Sequence, residues 1–421
     1  MKRYVLILVV VLSGAYAKAQ TLNEVYGQSV KAYEAKDYKS FLALTLKLDS
    51  LRPSHPTFTY NLAAAHALNG NVEEANLYLE KLVLTNNKTE FEKDADFKSL
   101  ETTAAYKKTL LLKAELEKEV KNSKKVISLS EKDLHPEGLL FLEKSKTWLA
   151  TSIRKRKIVS FNPKTGKCTD WLTGKNILAV FSIKADKDEK YLWAATGALP
   201  EMEKYSKALK GKAEILKIDI KTKAIVKRFS VGGEHLFGDL VVAKNNIVYI
   251  SDSEKPIVYK IEKDIISEWL SLNGEALSLQ GIALNTENTK LFVADYLSGI
   301  VAVDIKNNAD RSWLEFPKGS TKKGIDGLTY YDNSLIAIHN GVQPIRIVQY
   351  KLDKNQKQLT GFTTIDNNRP EFNEPVLSML KGNKLYFFAN SPWKFYSKEF
   401  ALDLSKFQNP MLFSYDLKGK I

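Results

Sequence analysis

Four short segments of the chain combine an oxygen-bearing side chain with a glycine next to a hydrophobic run. They read EGLLF, GDLVV, QGIAL and DGLTY, and their polar residues are Glu137, Asp239, Gln280 and Asp326. If the fold brings these side chains to one centre, the three carboxylates will repel one another and raise one another's pKa unless a cation neutralises them. Hard oxygen ligands of this kind suit a divalent metal, calcium above all. We therefore predict that these four residues bind such an ion.

Other interpretations of the same residues stay open at this point. The polar groups could instead cap strand ends by binding backbone N–H groups or channel water. Zinc fits less well, because the chain has five histidines and no pair at helical ligand spacing. His235 lies four residues before Asp239, and His135 lies two residues before Glu137. Either could assist proton transfer or be an ordinary loop histidine, and we take His235 as the catalytic candidate of the two.

The elements that must position these residues are short strands. Between residues 146 and 415 a hydrophobic strand, a small or polar turn and a second strand recur six times; the first strands read KTWLATSI, KYLWAATG, NNIVYISDS, TKLFVADYLSG, NSLIAIHNG and NKLYFFANS. Six such units, spaced by roughly 40–57 residues, indicate a six-bladed β-propeller. Because a propeller gathers the inner strand of every blade around one axis, polar residues that enter those strands would meet at its centre.

The two ends of the propeller are expected to meet. The last blade runs out of chain after its third strand, so we predict that residues 124–130, KKVISLS, supply the outer strand of blade six and remove an exposed edge. Blade two carries a charged, helix-prone insertion, GALPEMEKYSKALKGKAE. This insertion could lie over the channel mouth as a lid, or be solvated decoration.

Residues 20–122 have a different character, rich in Ala, Leu, Lys and Glu and without β alternation. An offset of 34 residues relates Tyr26 to Tyr60 and Leu48 to Leu82. This period resembles the tetratricopeptide repeat, and a third helical pair around residues 94–120 would cap the array. The region could bind a peptide or protein partner, or serve as a packing platform. The fold class is therefore an α-helical repeat region followed by an all-β six-bladed propeller at 123–421.

Residues 1–19 are typical of a secretory signal peptide. Lys2 and Arg3 precede the apolar run 4–12, and small residues at 15–19 offer a cleavage site. The run is shorter than the ~20 residues of a spanning helix, so we expect export to the periplasm or outside the cell without stable membrane insertion. The net charge of +14 is spread along the chain, which argues against nucleic-acid binding. Cys168 is the single cysteine, so no intrachain disulfide or cysteine metal site is expected.

Residues 130–421 resemble the gluconolactonase/regucalcin family, with more distant similarity to paraoxonases and strictosidine-synthase-like propellers. The similarity rests on HPEGLLF, LQGIALNTENTKLFVADYLSGIVAVD and GIDGLTYYDNSLIAI. The family's metal ligands fall on Glu137 and Asp326. The chain departs from the family at two middle positions, where Gln280 replaces an asparagine and Gly238-Asp239 replaces an Asn-Asp pair.

The resemblance implies metal-assisted hydrolysis of a sugar lactone or similar small cyclic ester. The cation would polarise the ester carbonyl, and Asp326 would act as general base. A second hypothesis belongs to another class: a non-catalytic envelope protein whose propeller and helical repeats are both binding surfaces. The surviving acids Glu137, Asp239 and Asp326 favour the first hypothesis, whereas the two ligand departures favour the second.

Overall fold

The structure is a computed structural model that describes residues 21–174, 176–397, 400 and 403–418. The predicted signal peptide therefore lies outside the described residues. The described chain divides into two compact units. One contains the described part of Met1–Leu79 together with Glu90–Lys107, and the other contains Glu80–Thr89 together with the described part of Lys108–Ile421. Among the described residues no helix is both long and apolar enough to cross a membrane.

The helices repeat with the predicted offset. Helix α1 begins 34 residues before α3, and α2 begins 34 residues before α4. The predicted third pair is a 3₁₀ helix, Ala95–Leu100, followed by one α-helix. The α-helices are α1 (Leu22–Glu34), α2 (Tyr38–Leu51), α3 (Pro56–Leu68), α4 (Val72–Thr85) and α5 (Ala104–Glu117).

Local sequence explains where the helices begin and how the first unit packs. Thr21 caps α1 in a capping box, because its side chain accepts from the Glu24 N–H while the Glu24 carboxylate accepts from the Thr21 N–H. Behind this start, Val25, Leu48 and Phe58 from three successive helices form a buried apolar cluster. A helix pair cannot bury such faces alone, so stacking of the repeats stabilises them.

The second unit contains six antiparallel sheets. Its strands are β1 (Val120–Lys121), β2 (Lys124–Ser128), β3 (Leu139–Leu142), β4 (Thr147–Ser152), β5 (Lys157–Phe161), β6 (Cys168–Leu172), β7 (Ala179–Ala185), β8 (Tyr191–Gly197), β9 (Ala213–Asp219), β10 (Ile225–Phe229), β11 (Phe237–Val242), β12 (Val248–Asp252), β13 (Ile257–Glu262), β14 (Ile265–Ser271), β15 (Leu279–Leu284), β16 (Lys290–Asp295), β17 (Gly299–Asp304), β18 (Arg311–Trp313), β19 (Ile325–Tyr331), β20 (Ser334–His339), β21 (Arg346–Leu352), β22 (Leu359–Asn367), β23 (Ser378–Lys381), β24 (Lys384–Phe388) and β25 (Met411–Asp416).

The six sheets are the blades of a propeller, as the sequence predicted. The blades have the strand orders β3-β4-β5-β6, β7-β8-β9-β10, β11-β12-β13-β14, β15-β16-β17-β18, β19-β20-β21-β22-β1 and β23-β24-β25-β2. The first strand of each blade contacts the first strand of the next, and β23 returns to β3. This ring of inner strands surrounds the central channel.

The predicted closure of the ring is confirmed by the pairing of the fourth strand in blade six. Strand β2 pairs with β25, and the register places Lys124 opposite Ser414. A second addition was not predicted: β1 pairs with β22 at the outer edge of blade five, placing Val120 opposite Asn367. These residues fall inside the segment that the sequence assigned to helices, because two residues are too few to show β alternation.

Buried charge secures this seam. The Asp366 carboxylate accepts hydrogen bonds from the Asn122 N–H at 2.9 Å and from the Ser123 hydroxyl. Arg369 donates to the same carboxylate at 3.1 Å, and its guanidinium lies 4.7 Å from the Phe413 ring centroid. A shift in the register of these strands would leave both buried charges without their partners. The ion pair therefore favours a single register.

Apolar layers between neighbouring blades form the core. Between blades four and five, for example, Phe292, Leu328, Leu335 and Tyr350 pack in one buried cluster. Alternate residues of each strand face the two neighbouring blades, so every blade is covered on both sides. This packing holds the inner strands at fixed positions around the channel.

The insertion in blade two is less helical than its composition suggested. It contains a single 3₁₀ turn, Lys207–Leu209, because Lys204, with φ +61°, leaves the right-handed helical conformation inside the segment. Its Leu199 and Met202 are buried against the loops of the neighbouring blades. Glu203 pairs with Lys155 of blade one at 2.9 Å. The insertion is therefore packed against the propeller rather than freely solvated.

Candidate functional site

A cavity of about 290 Å³ lies at one end of the channel, where the inner strands begin. All four residues predicted to bind a metal line it, together with one acid that was not predicted, Glu374. The lining residues are Glu137, Phe181, Leu236, Gly238, Asp239, Ser253, Ser278, Gln280, Gly281, Tyr296, Asp326, Asn340, Glu374, Leu377 and Trp393. The structure therefore brings the predicted polar ring together.

Glycines in three of the four motifs, Gly138, Gly281 and Gly327, allow neighbouring inner strands to approach one another. A Cβ on Gly138 would lie 2.6 Å from the Phe181 carbonyl oxygen of blade two. A Cβ on Gly281 would lie 2.4 Å from the Leu328 nitrogen of blade five. Real Cβ atoms are not found at such distances from backbone. Glycine beside the polar residue is thus a packing requirement, and this explains the recurring pattern.

Glu137 is held with one carboxylate oxygen already engaged. Its Oε1 accepts hydrogen bonds from the Ser391 hydroxyl at 2.9 Å and from the Trp393 indole N–H at 2.7 Å. Its Oε2 has no hydrogen-bond partner among the residues that the structure describes. The side chain is 8% exposed, and burial raises the pKa of Glu137 to about 7, although the two hydrogen bonds oppose the shift. One buried oxygen is therefore left for a ligand.

Asp326, at the start of the inner strand of blade five, has a similar arrangement. Its Oδ2 accepts from the Asn340 amide, whose nitrogen also donates to the Pro375 carbonyl at 3.1 Å. Burial, and then repulsion from Glu137, raise the pKa of Asp326 to about 7. A carboxylate with a pKa near neutrality is suited to accept a proton under ordinary conditions.

Glu374, just before the inner strand of blade six, adds a further charge to this pair. Its carbonyl accepts from the Ser391 N–H at 3.0 Å, so the backbone is fixed. Burial, and repulsion from Glu137 and Asp326, raise the pKa of Glu374 to about 8. Glu374 was not predicted from the sequence because its segment, EPVLS, has no glycine beside the acid. The sequence signal that could have identified Glu374 is an acid shortly before a hydrophobic strand.

Asp239 has a different role from the other three acids. Its Oδ1 accepts from the Ser182 hydroxyl at 2.6 Å and from the Leu240 N–H at 2.9 Å, and its Oδ2 accepts from the Ile282 N–H at 3.2 Å. These donors belong to blades two, three and four. Burial raises the pKa of Asp239. The carboxylate links three inner strands, which is the strand-capping alternative that the sequence left open.

Gln280 lies in the cavity wall and its amide nitrogen donates to the Ser278 hydroxyl at 3.0 Å. That bond uses the nitrogen and leaves the carbonyl oxygen of the amide available. The replacement of asparagine by glutamine therefore does not remove the oxygen donor from this position.

His235 is not among the cavity-lining residues. Its Nδ1 is 2.6 Å from a carboxylate oxygen of Asp252, and its Nε2 is 2.9 Å from the Gly232 carbonyl oxygen. The ring is 3% exposed. Both ring nitrogens are occupied in holding a loop, so this arrangement does not bring His235 to the acids.

His135 lies closer to the site, directly behind Glu137. Its Nδ1 is 2.8 Å from the Tyr396 hydroxyl, and its Nε2 is 3.7 Å from Glu137 Oε1 without a hydrogen bond. The ring meets Trp393 edge to face at 4.5 Å. Burial lowers the pKa of His135 to about 3. The neutral ring therefore packs against Glu137 and does not supply it with a counter-charge.

The side-chain oxygens around the cavity are suitable ligands for a hard cation, but only three of the four predicted residues have an oxygen free to bind it. Glu137, Asp326 and Gln280 retain free oxygens, whereas the oxygens of Asp239 are taken by protein donors. Among the described residues no three His, Cys, Asp or Glu side chains converge closely enough to form a metal site. What the arrangement demands is positive charge, because three carboxylates face one cavity and raise one another's pKa.

Comparison with known proteins does not show which family the chain belongs to. No family model and no curated protein matches the chain. Similar solved structures include an aldose sugar dehydrogenase from Streptomyces coelicolor in its PQQ-bound form (14% identity, 71% of this chain and 98% of that one, TM-score 0.49). Others are a luciferin-regenerating enzyme (14%, 72% and 96%, 0.49) and a virginiamycin B lyase from Staphylococcus aureus (15%, 70% and 88%, 0.45). All three are enzymes by name, but at these levels of similarity function must be argued from the site.

Proposed function

We propose that the propeller is an exported hydrolase of a lactone or similar small cyclic ester, and that it works with a divalent cation, calcium in preference to zinc. The observation that carries the proposal is that Glu137, Asp326 and Glu374 line the same small cavity. Burial raises the pKa of all three acids to neutrality or above, and repulsion from neighbouring acids adds to the shift for Asp326 and Glu374. Such perturbed acids are typical of functional sites. Export rests on the signal-like residues 1–19.

In the proposed mechanism, different residues bind the cation, accept the proton and orient the proton acceptor. Glu137 and Asp326, with the amide oxygen of Gln280, would hold the cation, which supplies polarisation of the ester carbonyl when bound. Asp326 is also the proposed proton acceptor for the attacking water, because a carboxylate that helps to hold the cation lies within reach of a water beside that cation. Asn340 orients Asp326 by donating to its Oδ2.

A lactone-hydrolysis assay with calcium and with chelator tests this proposal. Asp326→Asn keeps the size of the side chain and removes the proton acceptor, so we expect the rate to fall by about 10²-fold or more. Glu287→Gln, an exposed acid on blade four, is the matched control and should retain the rate. Lactone hydrolysis that persists at the parental rate in Asp326→Asn would refute this assignment.

The second candidate function is binding without catalysis. It is favoured by Asp239, whose oxygens serve the fold, and by exposed apolar side chains on the helical repeats, such as Tyr26, Leu46 and Leu51. Titration calorimetry on the chelator-treated protein separates the candidates. One calcium site that is lost in Glu137→Gln supports the hydrolase, whereas a folded protein with neither calcium binding nor lactone hydrolysis supports the binding protein.

A further inference from the structure

We propose that the substrate of this cavity carries a protonated amine, with Glu374 as its counter-charge and the rings of Trp393 and Tyr296 as its walls. The proposal rests on the proposed function of the same site and names the chemical class of its substrate.

The charges around the cavity favour a positively charged ligand. Of the residues that line it, four are acids, Glu137, Asp239, Asp326 and Glu374, and no Lys, Arg or His belongs to the lining. The chain as a whole carries a formal net charge of +14, so the acidity is a local feature and not a reflection of composition. A cavity of one sign attracts ligands of the opposite sign and rejects anions. A phosphate or carboxylate substrate is thus disfavoured.

The hydrogen bonds show which acids remain for a ligand. Asp239 is used by three protein donors, and one oxygen of Asp326 and one of Glu137 are also engaged. Glu137 Oε2 is unpartnered among the described residues on a side chain that is more than nine-tenths buried. Three carboxylates therefore still face the cavity with oxygen atoms to spare: Glu137 and Asp326 with one each, and Glu374 with both.

Glu374 makes no side-chain hydrogen bond or ion pair within the described part of the chain. Lys394 is near enough to lower its pKa, but burial and the neighbouring acids outweigh that effect. The backbone of Glu374 is fixed by Ser391, and the Asn340 amide ties the following Pro375 to Asp326. If a divalent cation neutralises Glu137 and Asp326, Glu374 still supplies a negative charge beside it. That remaining charge selects a cationic group on the substrate.

Aromatic rings complete the recognition. Trp393 is held by its N–H bond to Glu137 and by the edge contact with His135. Tyr296 lies on the cavity wall with its hydroxyl 3.4 Å from the Asn340 amide oxygen. An ammonium group is attracted to the face of Trp or Tyr, by about 0.5–2 kcal/mol depending on desolvation. Fixed rings beside a free carboxylate form a binding site for an organic cation.

The test compares three probes of matched shape and different charge: benzylamine, benzyl alcohol and benzoate. Each is titrated calorimetrically into the full chain near pH 8.5, where Glu374 is ionised, once with calcium and once with chelator. We expect benzylamine to bind at least tenfold more tightly than benzyl alcohol, and benzoate not to bind. Glu374→Gln should reduce the preference for the amine to less than threefold, and the control Glu287→Gln should preserve it.

Equal binding of amine and alcohol, or an amine preference that survives in folded Glu374→Gln, would overturn the proposal. Glu374→Ala is the second variant if the first does not fold. The outcome is independent of the proposed chemistry. Lactone hydrolysis without a preference for the amine would refute only the proposal that the substrate carries an amine. A preference for the amine without lactone hydrolysis would refute only the proposal that the protein is a hydrolase.

Discussion

The repulsion among the cavity acids predicts that removing one charge stabilises the metal-free protein. The perturbation is Glu374→Gln, which keeps the shape of the side chain and removes its ability to ionise. In the folded protein the pKa of Glu374 is raised from 4.5 to about 8. Between these values the folded chain keeps a proton that the unfolded chain has released. The free energy of unfolding of the parent protein therefore falls as pH rises through this window.

The size of the effect follows from the same pKa. One pKa unit corresponds to about 1.4 kcal/mol, so a displacement of about 3.5 sets an upper bound of about 5 kcal/mol. Part of that displacement comes from Glu137 and Asp326, whose own pKa values lie near 7 and which titrate together with Glu374. Water also screens a side chain that is only half-buried. We therefore expect Glu374→Gln to be about 2–3 kcal/mol more stable than the parent at high pH.

Urea unfolding in chelator, at about pH 5 and about pH 8.5, measures this difference. The two proteins should differ little at the lower pH, where Glu374 is protonated in the folded state, and should separate at the higher pH. Saturating calcium should reduce the gap, because the cation offsets the repulsion. A stability difference that is the same at both pH values would refute the reasoning, and Glu287→Gln controls for the loss of an exposed charge.

Two further predictions concern the scaffold. Gly138→Ala should destabilise the propeller by about 1–3 kcal/mol, because the new Cβ would clash with the Phe181 carbonyl. Gly361→Ala is the control, because nothing lies within 4 Å of a Cβ at that position. Equal urea midpoints for the two variants would contradict the packing argument. Asp366→Ala should cost about 2–3 kcal/mol, since buried Arg369 keeps only Glu371 as its acidic partner and the Asn122 N–H and the Ser123 hydroxyl lose their acceptor. A thermal unfolding midpoint unchanged from the parent would show that the seam does not depend on this carboxylate.

The sequence was sufficient to predict the six blades and most of the polar ring. Strand, turn and strand recur with a spacing that only a propeller explains, and Glu137, Asp239, Gln280 and Asp326 were expected at one centre because they begin equivalent strands. The lactonase chemistry and the metal remain predictions, since neither the fold nor the comparisons reach that level of detail.

What could not be predicted depends on neighbours that are distant in sequence. Asp239 has the same motif as its counterparts, yet its oxygens are used by donors from two other blades. His235 was expected near the acids from its spacing to Asp239, but Asp252 and Gly232 hold it elsewhere. Glu374 lacked the glycine that marked the others. Side-chain partners of this kind are set by tertiary packing, which a single strand's pattern does not encode.

The seam between β2 and β25 has a consequence for how the chain reaches its folded state. Lys124 pairs with Ser414, 290 positions later in the chain. Closing so long a loop is entropically costly, and contacts of this separation slow folding. Blades one to four, and strands β19–β22 of blade five, pair locally, so their hairpins can form before the ring is complete. Closure is then a late step, and a chain that pauses before it presents unpaired strand edges, where aggregation begins.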